Sequence, residues 1–368
     1  MRRSRFVIVV AAVVSMWWEV GPVDVAGAVV VSCGQTITQN TVLTADVGPC
    51  PVGGGNGIIV GASNITLDLN GHQVLGTANA INDGAGIYVL GRTGVTVRNG
   101  TVRNFDCGVA IEGGSGNTVT GIFAQDNIGA VGLTRCGEGV AVMSSQNNRV
   151  ANNRIVHNGP FGGIGVYTRN DAEHPRATSG VSRGNVIDGN QVTDNNLPRS
   201  PTINDSDGIR IETLSVFNII SNNTVTGSGL DGISMFSFAP DNTVRFNSVH
   251  NNGFLNTFRR RGDGIRVFGG ADRTTVVGNR MTGNAANGII FHGVFDTPSG
   301  PRPPATNSTA TNNFAVGNNV LPPLEQSQLG GPTFDLNDGN PNCDNNTWRA
   351  NIYRTANPAC TTIGGTQV

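Results

Sequence analysis

Gly followed by a β-branched residue recurs nine times along the chain: Gly57-Ile58, Gly86-Ile87, Gly108-Val109, Gly139-Val140, Gly163-Ile164, Gly208-Ile209, Gly232-Ile233, Gly264-Ile265 and Gly288-Ile289. The intervals are 29, 22, 31, 24, 45, 24, 32 and 24 residues, so a base period of 22 to 24 carries occasional insertions. A period of this size marks a solenoid, whose repeats bury their apolar faces only against one another. Each period has three short parts. Gly-apolar-x-apolar comes first, as in Gly208-Ile209-Arg210-Ile211, followed by two Asn-x-apolar parts, as in Asn218-Ile219-Ile220 and Asn223-Thr224-Val225. Alternation within each part sends aliphatics inward and polar residues outward.

Composition excludes the helical alternative. The chain holds 52 Gly and 44 Asn in 368 residues, a poor stock for helices but a good one for tight turns. Three short strands per turn and no helix predict an all-β, right-handed, single-stranded parallel β-helix of about nine to ten coils. Coils would stack at the interstrand spacing of about 4.8 Å. Equivalent Asn residues would then lie on one another and hydrogen-bond along the stack. There is no Lys, so a Lys Schiff base, P-loop Lys or Lys general base is excluded. A net charge of -1 with 13% charged residues lacks the basic surplus of a nucleic-acid binder.

Residues 1–28 read as a signal peptide: Arg2, Arg3 and Arg5 precede an apolar run from Phe6 to Val14, and Ala26-Gly27-Ala28 fits a small-residue cleavage site. The expectation is a secreted, extracellular protein with no membrane span once the signal is removed. Six Cys fit an oxidising compartment. They fall into local pairs, Cys33 with Cys50, Cys107 with Cys136 and Cys343 with Cys360, which is the expected pairing. Residues 29–56 and 321–368 then form disulfide-bearing caps on a solenoid spanning 57–320, since the open ends of a β-helix need covering.

The Gly-Ile and Asn-x-Val repeats resemble the right-handed parallel β-helix repeat family, within the pectate-lyase-like superfamily. The tail Phe334-Asp335-Leu336, followed by Asn340-Pro341-Asn342-Cys343-Asp344-Asn345-Asn346-Thr347-Trp348, resembles a C-terminal segment of secreted actinobacterial members. The resemblance implies the fold. It also implies a polysaccharide as partner, through lyase, hydrolase or purely binding members alike, and fold alone does not choose among them.

Insertions flank the Gly-apolar strand, so a site is expected on its outward face. Three candidate sets lie there. Asp207, Asp231 and Asp263 each precede the Gly of successive repeats. They form either a turn-building ladder or a carboxylate stack with the ~5 Å separation of acids in retaining glycosidases. Arg210 and Arg266 share one repeat position two coils apart and suit the carboxylates of a uronate. His292 is a candidate acid-base group. Tyr167, Glu212, Phe236 and Phe268 are candidate substrate contacts. No nucleotide, flavin or haem cofactor is indicated. A Ca²⁺ site is possible at Asn204-Asp205-Ser206-Asp207, with Asp205 and Asp207 as carboxylate ligands. Two functions stand at this stage: binding and cleavage of an extracellular, acidic polysaccharide (polyuronate) in a groove along this face, or a non-catalytic glycan-binding or cell-surface role.

Overall fold

The computed structural model describes residues 27–78, 84–129, 136–168, 180–196, 206–254, 262–297, 300–320 and 332–368. Twelve short strands stack in parallel into one sheet, here the first sheet. Its strands define coils 1 to 12: Gln35–Ile37, Ile58–Val60, Ala85–Leu90, Cys107–Glu112, Glu138–Met143, Gly162–Tyr167, Asp207–Glu212, Ile233–Met235, Ile265–Val267, Ile289–Phe291, Leu336–Asp338 and Ala356–Asn357. The nine Gly-apolar marks are coils 2 to 10. Coils 1, 11 and 12 escape that count because their first strands lack the mark. The second and third strands of each coil, such as Ile219–Ser221 and Thr224–Thr226 of coil 7, build a 21-stranded sheet that closes the solenoid.

Register is set by aliphatic columns. Ile209, Ile233, Ile265 and Ile289 pair in line and are fully buried. Fully burying each such side chain contributes roughly 1.5–3 kcal/mol. Opposite them lie Val225 and Val249 of the third strands, also fully buried. The marking glycines sit where these walls converge. A Cβ on Gly208 would stand 2.3 Å from Val225 Cγ1 and 2.6 Å from Gly232 O, and one on Gly232 would stand 2.2 Å from Val249 Cγ1. The Gly of the repeat is therefore a steric requirement of the corner.

Three columns of buried polar residues line the corners. In one, Asn153, Asn190, Asn223, Asn247, Asn279, Asn313 and Asn351 follow one another up the axis. Asn190 donates its backbone N–H and its Nδ2 to Asn223 Oδ1, both at 2.9 Å. Asn223 repeats the pattern onto Asn247 Oδ1 and gives its remaining Nδ2 hydrogen to Ile187 O at 2.9 Å. Each inner amide is thus fully satisfied without water. These ladder residues have ordinary backbone. The left-handed conformation falls on the residue before them, as at Asn152, Gly189, Asn222, Gly278 and Asn312. The sequence pair Gly/Asn-Asn is a division of labour: the first residue turns the chain and the second stacks.

Disulfides join Cys33 to Cys50, Cys107 to Cys136 and Cys343 to Cys360. At the C-terminal end two buried carboxylates organise the chain. Asp335 accepts from Asn318 N and Nδ2 and from the backbone of Arg354 and Thr355. Asp338 accepts from Trp348 Nε1 at 2.7 Å, with Asn340 and Asn346 completing its shell. The Trp348 ring covers Phe291, with centroids 4.7 Å apart. The acidic tail is accordingly structural.

Replacing one ladder residue tests the columns. Asn223→Ala strands two buried donors of Asn190 and is expected to cost about 3 kcal/mol in urea unfolding. Asn312→Gly, at an exposed left-handed position of the same corner, should change stability by no more than about 0.5 kcal/mol.

Candidate functional site

In coil 7, Ile209 and Ile211 point into the solenoid, so Arg210 and Glu212 point out. The same alternation places Ser234, Phe236, Arg266, Phe268 and His292 on the outer face of coils 8 to 10. This face is packed and not an open groove. Arg210 is 6% exposed, Arg266 2% and His292 4%, while Phe236 is only partly covered.

The acids before the glycines form a ladder, as the turn-building reading expected. Asp207 Oδ1 accepts Asp231 N–H at 3.0 Å, Asp231 Oδ1 accepts Asp263 N–H at 3.0 Å, and Asp263 Oδ1 accepts Asn287 N–H at 2.9 Å. The second oxygens of Asp207 and Asp263 meet side chains. Ser234 Oγ donates to Asp207 Oδ2 at 2.6 Å, and Arg266 Nη1 stands 3.4 Å from Asp263 Oδ2. One acid departs from an ordinary carboxylate. Burial, reinforced by the charge of Asp231, raises the Asp263 pKa to about 6, against the opposing pull of Arg266 and Asn287.

The two arginines are engaged differently. Arg210 Nη2 lies 2.7 Å from Glu212 Oε2, and its guanidinium sits 5.1 Å from the Phe236 ring centroid. The Arg266 guanidinium lies 4.5 Å from the Phe268 centroid. Phe236 and Phe268 stack at 5.0 Å, tilted by 13°, and His292 continues the row 6.3 Å from Phe268. Thus Asp207, Asp231, Asp263, Arg210, Glu212, Arg266, Phe236, Phe268 and His292 share one face of four neighbouring coils.

Tyr167 belongs to a different environment. It is fully buried in an apolar cluster with Tyr88, Ala110, Ala141, Met143 and the Cys107–Cys136 bridge. There the Tyr88 hydroxyl donates to Glu112 Oε2 at 2.5 Å. Sequence reasoning missed Glu138, although it also precedes a repeat Gly. Register puts Glu138 beside Gly162 and Gly162 beside Asp207, so it heads the same acid row. Gly137 N–H donates to its Oε2 at 2.7 Å, and its Oε1 stands 2.8 Å from where a Cβ on Gly165 would be. The proposed cation ligand Asp205 lies outside the described residues. Its companion Asp207 has both oxygens hydrogen-bonded.

The raised Asp263 pKa has a thermodynamic sign. A carboxyl that holds its proton more tightly when folded stabilises the fold below the unfolded pKa and loses that contribution as pH rises through about 6. The melting temperature should therefore fall between pH 4 and pH 7. Asp263→Asn, which keeps an acceptor for Asn287 N–H, should flatten that part of the profile.

Comparison with known proteins places the architecture. A sequence model described as right-handed β-helix region matches residues 26–196 and 184–365. No curated protein matches the sequence. Among solved structures, an alginate lyase from Paenibacillus sp. str. FPU-7 is similar at 18% identity and TM-score 0.50, over 79% of this chain and 88% of that one. The Dettilon tailspike protein is similar at 13% identity and TM-score 0.55, over 85% of this chain and 55% of that one, so the present chain spans about half of the tailspike. DFA-IIIase from Arthrobacter chlorophenolicus A6, without its lid, is similar at 12% identity and TM-score 0.51, over 84% and 70%. Among the described residues no helix is long and apolar enough to cross a membrane. The family match spans nearly the whole chain, and the protein belongs to the right-handed β-helix family.

Proposed function

We propose that this protein is a secreted enzyme that binds a carbohydrate on the outer face of coils 7 to 10 and cleaves it by hydrolysis. The observation that carries the reading is the pairing of Asp263, whose proton is retained to about pH 6, with the carboxylate of Asp231 one coil away. Adjacent coils hold such groups about 5 Å apart, within the range of retaining glycosidases, roughly 5–5.5 Å. In that chemistry Asp263 delivers its proton to the leaving glycosidic oxygen while Asp231 attacks the anomeric carbon. Water then releases the sugar, and Asp263 takes back the proton. The fold shared with an alginate lyase supports a carbohydrate as the ligand.

Hydrolysis is preferred over lysis because both guanidiniums of the face already stand against acid side chains, Arg210 on Glu212 and Arg266 on the Asp263 carboxyl. A lyase would need one of them for the uronate carboxylate or the C5 proton. Both acids are buried, so a sugar reaches them only by displacing the groups packed over them. The purely binding reading draws on a different observation, that one oxygen of each acid already serves the backbone ladder.

The mature protein should release reducing ends from acidic or neutral polysaccharides without a rise in absorbance near 235 nm, with or without added Ca²⁺. Activity should fall above about pH 6, and Asp263→Asn should lose about 10²-fold or more. Retention of the glycan without new reducing ends would leave a binding protein. Absorbance at 235 nm that disappears in Arg210→Ala would establish a lyase instead.

A further inference from the structure

Left-handed backbone is cheap for Gly and Asn and unfavourable for bulky side chains. At the corner after the first strand coils 3, 4 and 9 obey this, and coil 5 uses the small Ser144. Gly91 and Gly113 occupy one equivalent turn position with φ of 62° and 69°, and Gly270 occupies it in coil 9 with φ 79°. In coils 7 and 8 the same position holds Leu214 and Phe238, with φ of 57° and 59°. Backbone bonds confirm the equivalence: Leu214 N–H donates to Ser237 O, just before Phe238, and Phe238 N–H donates to Gly269 O, just before Gly270. Three residues further along coil 7, Phe217 takes φ 56° where earlier coils use Asn64, Gly94, Gly116, Asn147 and Gly184.

These three side chains stay close to half exposed, and Phe217 has the Arg183 guanidinium 5.0 Å from its ring centroid. Leu214 is 42% exposed, Phe238 49% and Phe217 50%. Strained backbone combined with exposed apolar surface is the combination a fold sheds unless a ligand uses it. At this corner apolar residues take the place of Gly and Asn in coils 7 and 8, which carry Arg210, Glu212 and Phe236; coil 9 places Arg273 there with φ 52°, and at the third-strand corner of coil 8 Phe246 takes φ 56° and is 58% exposed. Phe238 follows Phe236 by two residues, so the exposed ledge continues the partly covered edge of the Phe236–Phe268 stack. Pro303 flanks the far side of the ledge: a Cβ on Gly270 would lie 2.9 Å from Phe238 Cδ1 and 3.1 Å from Pro303 Cγ.

We propose that Leu214, Phe217 and Phe238 form a binding ledge on which a glycan strand leaving the Asp231–Asp263 site lays the apolar faces of its sugar rings. This rests on the carbohydrate reading above and adds a preference for long polymers over short oligomers. The polar groups of the site would hold the reacting sugar, and the ledge would hold units beyond it by contact with flat apolar surface.

The test uses residues the fold already employs at these positions. Phe238→Gly and Leu214→Gly restore the turn glycine of coils 3, 4 and 9, so they should keep or raise the melting temperature. Affinity for the long polysaccharide, read by gel retardation and by KM, should weaken at least tenfold, with affinity for short oligomers and kcat unchanged. Stable variants with undiminished polymer affinity would overturn the ledge. So would a wild-type dimer in light scattering that becomes monomeric in these variants, since the patch would then be a contact between copies. Wild-type protein that retains no glycan of any length would instead refute the carbohydrate reading itself.

Discussion

The structure depends on the buried amide ladder. A parallel β-helix of this width has corners too tight for aliphatic packing alone, and every corner exposes backbone N–H groups to a dry interior. An unpaired buried donor costs about 1–3 kcal/mol, so a dozen such corners would unfold the chain. An Asn at most corners, with Ser228, Thr274 and Ser308 at others, removes the cost: the Asn oxygen takes the backbone and side-chain donors of the preceding coil, and its nitrogen bonds onward and backward. The aliphatic columns supply the driving force, while the amides fix the register to one residue.

The candidate site reuses that device with a change of charge. Asp207, Asp231 and Asp263 serve the next coil's N–H as an Asn would, yet they stand outside the barrel on the strand face. An acid in a ladder is held by two demands, one from the backbone and one from its neighbours. Asp263 answers the second by keeping its proton, because burial and Asp231 outweigh the help of Arg266. Asn287 ends the acid run with a neutral amide that donates to Asp263 and accepts from Phe334 N–H and Asn337 Nδ2.

Much of this was legible in the sequence, and the division is physical. Gly208 and Gly232 announce the coils because a Cβ there meets the opposite wall, a constraint local enough to leave a periodic trace. The cysteine pairs were readable because each joins neighbours in the chain. Outward orientation of Arg210, Phe236 and Phe268 followed from alternation, but the burial of Arg210 and Phe268 did not, since cover over a sheet face leaves no period. Tyr167 shows the same limit: its repeat position was clear, and the apolar cluster that encloses it was not. Glu138 was overlooked because Gly162, which carries no side chain, separates it from the later acids along the row.

Asp335 ends the run of amides in one corner column. Every Asn in a ladder both accepts and donates, so a column of them has no intrinsic end and would welcome another rung. A carboxylate only accepts. At the top of the column that includes Asn284 and Asn318, Asn318 delivers two hydrogens to the Asp335 carboxylate, which has none to give and instead gathers the backbone N–H groups of Arg354 and Thr355, while the Asp335 backbone N–H passes on to Thr355 Oγ1. The exchange of one amide for one acid is a punctuation mark. Coils inserted below it prolong the column unchanged, whereas above it the side-chain message is gone and a single backbone hydrogen bond, onto Thr355, carries on.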